Sequence, residues 1–437
     1  MSEWFDPIVE EIKNAQLFER SGKIIKIIGL VIESLGPTAS MGELCEIKHA
    51  SKKICDAEVV GFRDGRTLIM PLGTMDGIRP GMVVTAQGQQ LNVKVGPGLL
   101  GRVVDGLGNP MDGKGPIQTE ESRPLFNMPP NALQRKRITQ PMYTGIRAID
   151  TFLTIGRGQR MGIFAGSGVG KSVTLGMIAK NCLSEVNVIA LIGERGREVR
   201  EFIEKDLGPE GLARSIVVVA TSDQPALVRL KASLVATSIA EYFRDQSKDV
   251  LLMMDSSTRL AMAQREIGLA VGEPPTTKGY TPSVFAFIPK LFERAGTSDK
   301  GSITGLYTVL VEGDDMDDPI ADTARSILDG HIVLNRALAQ KNHYPAIDVL
   351  QSISRCRPDV VDDEFKEMTG QLLNSMAVYQ KSEDLINIGA YSAGSDVNID
   401  RAINRNPKIL QILQQKMDES SDMEEVLTSV QSVVDII

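Results

Sequence analysis

Residues 165–172 read Ala-Gly-Ser-Gly-Val-Gly-Lys-Ser, between the apolar run Met161–Phe164 and a helix-like stretch over Val173–Cys182. A strand, a glycine loop and a helix start in that order make a phosphate cradle. Glycines let successive backbone N–H groups turn toward an anion without a Cβ clash. The helix opening at Lys171 adds the positive end of its dipole. Lys171 can reach β- and γ-phosphates, and the Ser172 hydroxyl can ligate Mg²⁺. Gly166, Ser167, Gly168, Val169, Gly170 and Val173 make up the rest of the cradle. The full pattern has glycine where this chain has Ala165. With Gly166, Gly168 and Gly170 in place, an intact cradle is expected.

Hydrolysis of a nucleoside triphosphate needs carboxylates as well. The run Asp249–Asp255 is apolar between its ends and suits a central parallel strand buried on both faces. Asp255 then stands at the carboxyl edge of the sheet, where open α/β sheets bind ligands, as the Mg²⁺-side acid. The alternative is an Asp that caps the next helix. A second run, Val186–Ile192, is closed by Gly193-Glu194-Arg195-Gly196-Arg197-Glu198. Glu194 at that edge can polarise the attacking water, with Arg195 and Arg197 beside it. The alternative is a surface Glu/Arg cluster ahead of an amphipathic helix carrying Val199, Phe202, Ile203 and Leu207 on one face.

A chain of 437 residues has room for two or three domains. A net charge of −8 and a pI of about 5.2 argue against a sequence-independent nucleic-acid binder. Cys45, Cys55, Cys182 and Cys356 are scattered without zinc spacing and read as free thiols in a reducing compartment. No signal peptide and no apolar run of transmembrane length is recognisable, so a soluble, cytoplasmic protein is expected.

Four regions follow. Residues 1–20 read as an amphipathic helix capped by Asp6, with Ile8, Val9 and Ile12 on one face. It either docks a partner or packs back on the protein. Residues 21–95 alternate short β-like runs with Gly/Pro/Asp turns, which suggests a small closed barrel. Residues 96–357 form the nucleotide-binding region. It begins with a Gly- and Pro-rich, mostly irregular connector over 96–145 and continues as a doubly wound parallel sheet with strands at 161–165, 187–193, 215–220, 249–255 and 303–311. Residues 358–437 read as helical, with Met368, Leu372, Leu373 and Met376 on one face. The last twenty residues hold six acids and no Lys or Arg, and are expected to be a solvated end.

The chain resembles the hexameric ATPases of the rotary ATP synthase superfamily, and within it the flagellar (type III secretion) export ATPase. The resemblance is carried by Thr144-Gly-Ile-Arg-Ala-Ile-Asp150, Phe164–Ser172, Gly193–Val199, Asp255-Ser-Ser-Thr-Arg259, Gly279-Tyr-Thr-Pro-Ser-Val-Phe285, Glu293-Arg-Ala-Gly296, Tyr344-Pro-Ala-Ile-Asp348 and Ser352-Ile-Ser-Arg355. It implies that Lys171 and Ser172 bind phosphates and Mg²⁺, Glu194 activates water, and Asp255 holds Mg²⁺ through its water shell. It also implies that Tyr344 lies against adenine and that Arg355 is a finger reaching the γ-phosphate of a neighbouring subunit. Before the resemblance, Arg355 is only one Arg in a loop with Arg357.

By the same resemblance the expected cofactors are ATP and Mg²⁺, and the expected assembly is a homohexamer. The implied partners are a stator-like regulator at the N-terminal helix, a stalk protein in the ring pore, an export gate at the inner membrane, and export substrates with their chaperones; no nucleic acid is expected. The implied place is cytoplasmic, peripheral to the inner membrane at the flagellar base. Rival readings are a virulence-type secretion ATPase, the catalytic subunit of a rotary ATP synthase, and a ring-shaped nucleic-acid translocase. A non-hydrolysing paralogue is disfavoured by Glu194.

Overall fold

The structure, a computed structural model, describes residues 19–436 apart from residues 51, 312 and 314. All but the last two residues of the expected N-terminal helix lie outside this range. The chain divides into two compact units, one of residues up to Asn92 with Glu266–Glu273, the other of Val93–Arg265 with Pro274–Ile437.

The first unit holds a closed barrel. Strands β1 (Ser21–Ile28), β2 (Val31–Leu35), β3 (Glu43–His49), β4 (Lys52–Arg63), β5 (Arg66–Pro71) and β6 (Val83–Gln90) close in the order β1-β2-β5-β4-β3-β6. Period-two alternation turns Ile24, Ile32, Ile47, Val59, Ile69 and Val84 into its core. Asp64 and Gly65, both at positive φ, make the tight β4–β5 turn.

The second unit is built on strands β7 (Val103–Asp105), β8 (Arg160–Ala165), β9 (Val186–Ile192), β10 (Ser215–Ala220), β11 (Asp249–Asp255), β12 (Ser302–Leu310), β13 (Gly330–Leu334) and β14 (Ile347–Ser354). They lie in the order β14-β13-β8-β12-β11-β9-β10-β7, with the short strand Gly296–Thr297 beside β12. Every pairing along that order is parallel except β13–β14. β9 and β10 are buried at every position, as strands covered on both faces must be.

The five expected strands are each found to within one residue. Three others were not anticipated. The stretch 96–145 is mostly irregular, but within it β7, Val103–Asp105, joins the edge of the main sheet. It has three residues, too short for a periodic signal. β14 exposes Leu350 and Ile353 on an edge and carries polar residues between them, so it lacks the continuous apolar run of a central strand.

The helices that matter below are α1 (Arg147–Phe152), α2 (Lys171–Asn181), α3 (Ala226–Asp245), α4 (Asp363–Asn387), α5 (Val397–Leu413) and α6 (Met423–Val434). Leu372, Ile409, Val426, Val430 and Val433 belong to the same apolar core as Ile163, Ile189, Leu251 and Leu175. The acidic C-terminus is therefore not a solvated end. Its acids gather at the start of α6, where Asp422 accepts from Glu425 N–H and Glu424 and Glu425 complement the helix dipole. The valines at helical spacing do the packing, a pattern that net composition hides.

The Glu293-Arg-Ala-Gly296 segment has a structural role. Arg294 Nε and Nη2 each lie 2.8 Å from a carboxylate oxygen of Glu241 on α3. The guanidinium also donates to the Leu125 carbonyl at 2.7 Å and to Ser238 Oγ at 3.0 Å. Both charges are buried. Removing either partner of such a pair costs about 3–5 kcal/mol, because the other charge is left buried and unmatched.

Candidate active site

The register of the sheet gathers the strand ends at one edge. Ala165 lies beside Leu310 and Leu334, and Leu191 beside Asp255. The glycine loop leaves β8 at this edge, and its demanding positions are Gly168 at φ +78° and Gly170 at φ +89°. Gly170 is the left-handed N-cap of α2. Val169 is buried and pins the loop from below, while Ser167, Gly168 and Ser172 are exposed. Ala165 is the last residue of β8 and its methyl belongs to the core. A glycine is not required there, because the turn of the loop begins beyond it.

Three of the singled-out residues meet above this edge. Lys171 Nζ donates to Asp255 Oδ1 and lies 3.6 Å from Glu194 Oε1. Asp255 Oδ1 also accepts from Thr308 Oγ1 at 2.7 Å. The helix-cap reading of Asp255 does not hold, since Ser256 Oγ accepts from Arg259 N–H at 3.3 Å. Thr308 was not singled out, because a threonine inside a buried strand carries no local signature. Gly193, at φ +74°, ends β9 with its Cα against Arg259; a Cβ there would sit 2.7 Å from that side chain. This close approach aims Glu194 at the lysine.

Burial is the main cause of a Glu194 pKa above the ordinary carboxylate value. The charges of Asp255 and Glu198 push the same way, and Lys171 opposes them. A base with a raised pKa accepts a proton more readily once ionised. Activity that depends on ionised Glu194 is lost as pH falls through this raised value. Glu198→Gln removes a like charge, lowers the Glu194 pKa, and is expected to move the acid limb of the kcat/KM profile to lower pH. An unmoved limb would exclude Glu194 as the titrating group.

Arg195 and Arg197 point elsewhere. Both are exposed, and they pair with Glu198 at 3.0 Å and with Glu201 at 2.6 Å. Val199, Phe202 and Leu207 behind them are buried as an amphipathic face would be.

Tyr344 reaches the loop from the other side. Its ring lies over Gly170, where a Cβ would sit 3.5 Å from the ring carbons. It is 42% exposed and faces a cavity of about 950 Å³ lined also by Val173, Met177, Pro345, Gln411 and Gln414. An aromatic face with an apolar floor and amide groups suits a planar heterocycle attached to phosphates held at the loop.

Arg355 is not part of this cluster. β14 runs antiparallel to β13, with Ile347 beside Leu334 and Ser354 beside Gly330. Its eight residues span about 25 Å. Arg355 thus emerges, exposed, at the opposite edge of the sheet, its N–H bonded to the Asp329 carbonyl at 2.9 Å. Reaching a γ-phosphate from there requires a second copy of the chain.

Among the described residues no group of three or more His, Cys, Asp or Glu side chains could hold a metal. Ser172 and Asp255 offer one hydroxyl and one carboxylate. That sparse set fits Mg²⁺, which keeps several waters and takes further ligands from substrate phosphates.

Comparison with known proteins finds relatives along most of the chain. The profile of the ATP synthase alpha/beta family, nucleotide-binding domain, matches residues 145–354, and that of its beta-barrel domain matches 24–88. The profile of the T3SS EscN ATPase C-terminal domain matches 361–432. The chain is 55% identical over 434 residues to a flagellum-specific ATP synthase of Bacillus subtilis, covering 98% of each chain. Among solved structures it resembles the assembled ATPase EscN of the enteropathogenic E. coli type III secretion system, with a TM-score of 0.91 and 47% identity. That match covers 94% of this chain and 100% of the other. EscN in complex with its central stalk EscO matches with a TM-score of 0.88 and 46% identity over the same shares.

Proposed function

The chain belongs to the ATP synthase alpha/beta family, with the C-terminal domain of type III secretion ATPases, and from this we propose how it works: as a homohexameric ring that hydrolyses MgATP between subunits to drive flagellar protein export. It is an ATPase coupled to protein export. The observation that carries the catalytic reading is the meeting of Lys171, Asp255 and Glu194 above the glycine loop.

In this reading the loop N–H groups and Lys171 hold the β- and γ-phosphates. Lys171 exchanges its contacts with Asp255 and Glu194 for phosphate oxygens, which leaves Glu194 free to take a proton from the attacking water. Tyr344 supports the adenine. Ser172 and Asp255 would hold Mg²⁺, which would supply positive charge against the phosphate oxygens. Arg355 of the next subunit stabilises the transferring phosphoryl group in trans, while Arg195, exposed and paired with Glu198, has no part in it.

The other assignments rest on the resemblance. They are a stalk protein in the pore, a stator-like regulator on the N-terminal helix, an export gate, chaperoned substrates, and a cytoplasmic position at the flagellar base. No helix among the described residues is long and apolar enough to cross a membrane. The test is specific ATPase activity of the purified chain against its own concentration. A steep rise is expected, because each site needs a neighbour. Flat activity would overturn the interfacial reading, and negligible activity at every concentration would favour a synthase-type subunit that needs a different partner chain.

A further inference from the structure

Gln415, just beyond α5, is buried and fully bonded. Its N–H donates to the Tyr344 carbonyl at 2.9 Å. Its Oε1 accepts from Arg147 N–H at 2.9 Å, and its Nε2 donates to the Gly145 carbonyl at 2.7 Å and to the Glu419 carbonyl at 2.8 Å. Arg147 answers from the opposite segment. Its guanidinium donates to the carbonyls of Ile412 and Gln414 at the end of α5 and pairs with Glu419. The two segments interlock.

One side of this clasp is itself fixed. Asp150 accepts from Thr144 N–H, Thr144 Oγ1 and Gly145 N–H, each at 2.8 Å. Gly145, at φ +75°, sits so close to Asn181 that a Cβ would lie 2.4 Å from it, which ties the segment to the far end of α2. The other side, 414–419, has no regular structure and lines the cavity faced by Tyr344. A loop without ladder hydrogen bonds is only as rigid as its tethers.

We propose that Gln415, locked by Arg147, is a positioning residue for nucleotide binding: it holds 414–419 against the Tyr344 platform as a wall of the base pocket. The proposal rests on Tyr344 being that platform. Gln415 touches no phosphate site, so its loss acts through the base alone. A preformed wall spares the nucleotide the cost of ordering the loop on binding.

The experiment compares Gln415→Ala and Tyr344→Ala with the unaltered full chain. It measures KM and kcat for ATP, and equilibrium binding of ADP and of inorganic pyrophosphate. For Gln415→Ala we expect KM for ATP and Kd for ADP to rise about tenfold, the loss of roughly one net hydrogen bond's worth of order. Pyrophosphate affinity should hold and kcat should fall less than twofold. Unchanged ADP affinity, or equal weakening of ADP and pyrophosphate, overturns the proposal.

Unchanged ADP affinity in Tyr344→Ala instead overturns the platform reading and the clasp with it. If Tyr344→Ala weakens ADP while Gln415→Ala does not, only the clasp fails. Should Gln415→Ala not fold, hydrogen exchange on the unaltered protein decides. ADP should slow exchange at residues 415–419 and pyrophosphate should not; equal effects of the two, or none, overturn the clasp.

Discussion

Glu194→Gln should bind ATP about as well as the unaltered protein and turn it over about 10²–10⁴-fold more slowly. The amide keeps the shape of the side chain but cannot take a proton from water. It also removes a negative charge lying 3.6 Å from Lys171 Nζ and acting on Asp255. Loss of that charge favours the triphosphate, so binding holds or tightens while chemistry stops. Fluorescent-nucleotide titration and steady-state turnover on the same preparation make the comparison. Normal turnover would remove Glu194 from the mechanism, whereas lost binding would give it a structural role.

Arg355→Ala should lower kcat of the assembled protein by about 10³–10⁵, the range seen for an arginine supplied in trans. Nucleotide binding should survive, because Arg355 leaves β14 at the edge of the sheet away from Lys171. Mixing gives the sharper result. A ring of Arg355→Ala and Glu194→Gln subunits contains some interfaces with intact Glu194 on one side and intact Arg355 on the other. Activity should reappear on mixing two inactive preparations. A mixture that stays inactive although the subunits co-assemble would place the finger elsewhere.

Much of the site was readable along the chain, because its parts are local. A glycine loop between strand and helix, and acids that end apolar runs, keep their meaning in one dimension. Lys171, Asp255 and Glu194 stand out as candidates this way and the fold brings them together, and the five central strands fell within one residue of expectation. β7 and β14 escaped because an edge strand need not be apolar throughout, and β7 is three residues long. The C-terminal acids misled for a related reason. Bulk charge says nothing about which face of a helix carries it, and Val426, Val430 and Val433 bury the other face of α6.

The linear order of residues was enough for the cradle, the barrel, the parallel sheet and the identity of the acids, since each depends on neighbours a few positions apart. Convergence at long range was a matter for the folded chain. Thr308 joins Asp255 only because β12 lies beside β11. Gln415 meets Arg147 and Tyr344 only because the helical region packs on the sheet. The antiparallel turn of β14 carries Arg355 away from its own loop, to the opposite edge of the sheet. Such contacts join residues tens to hundreds of positions apart, and their energies come from burial and geometry that no local pattern encodes.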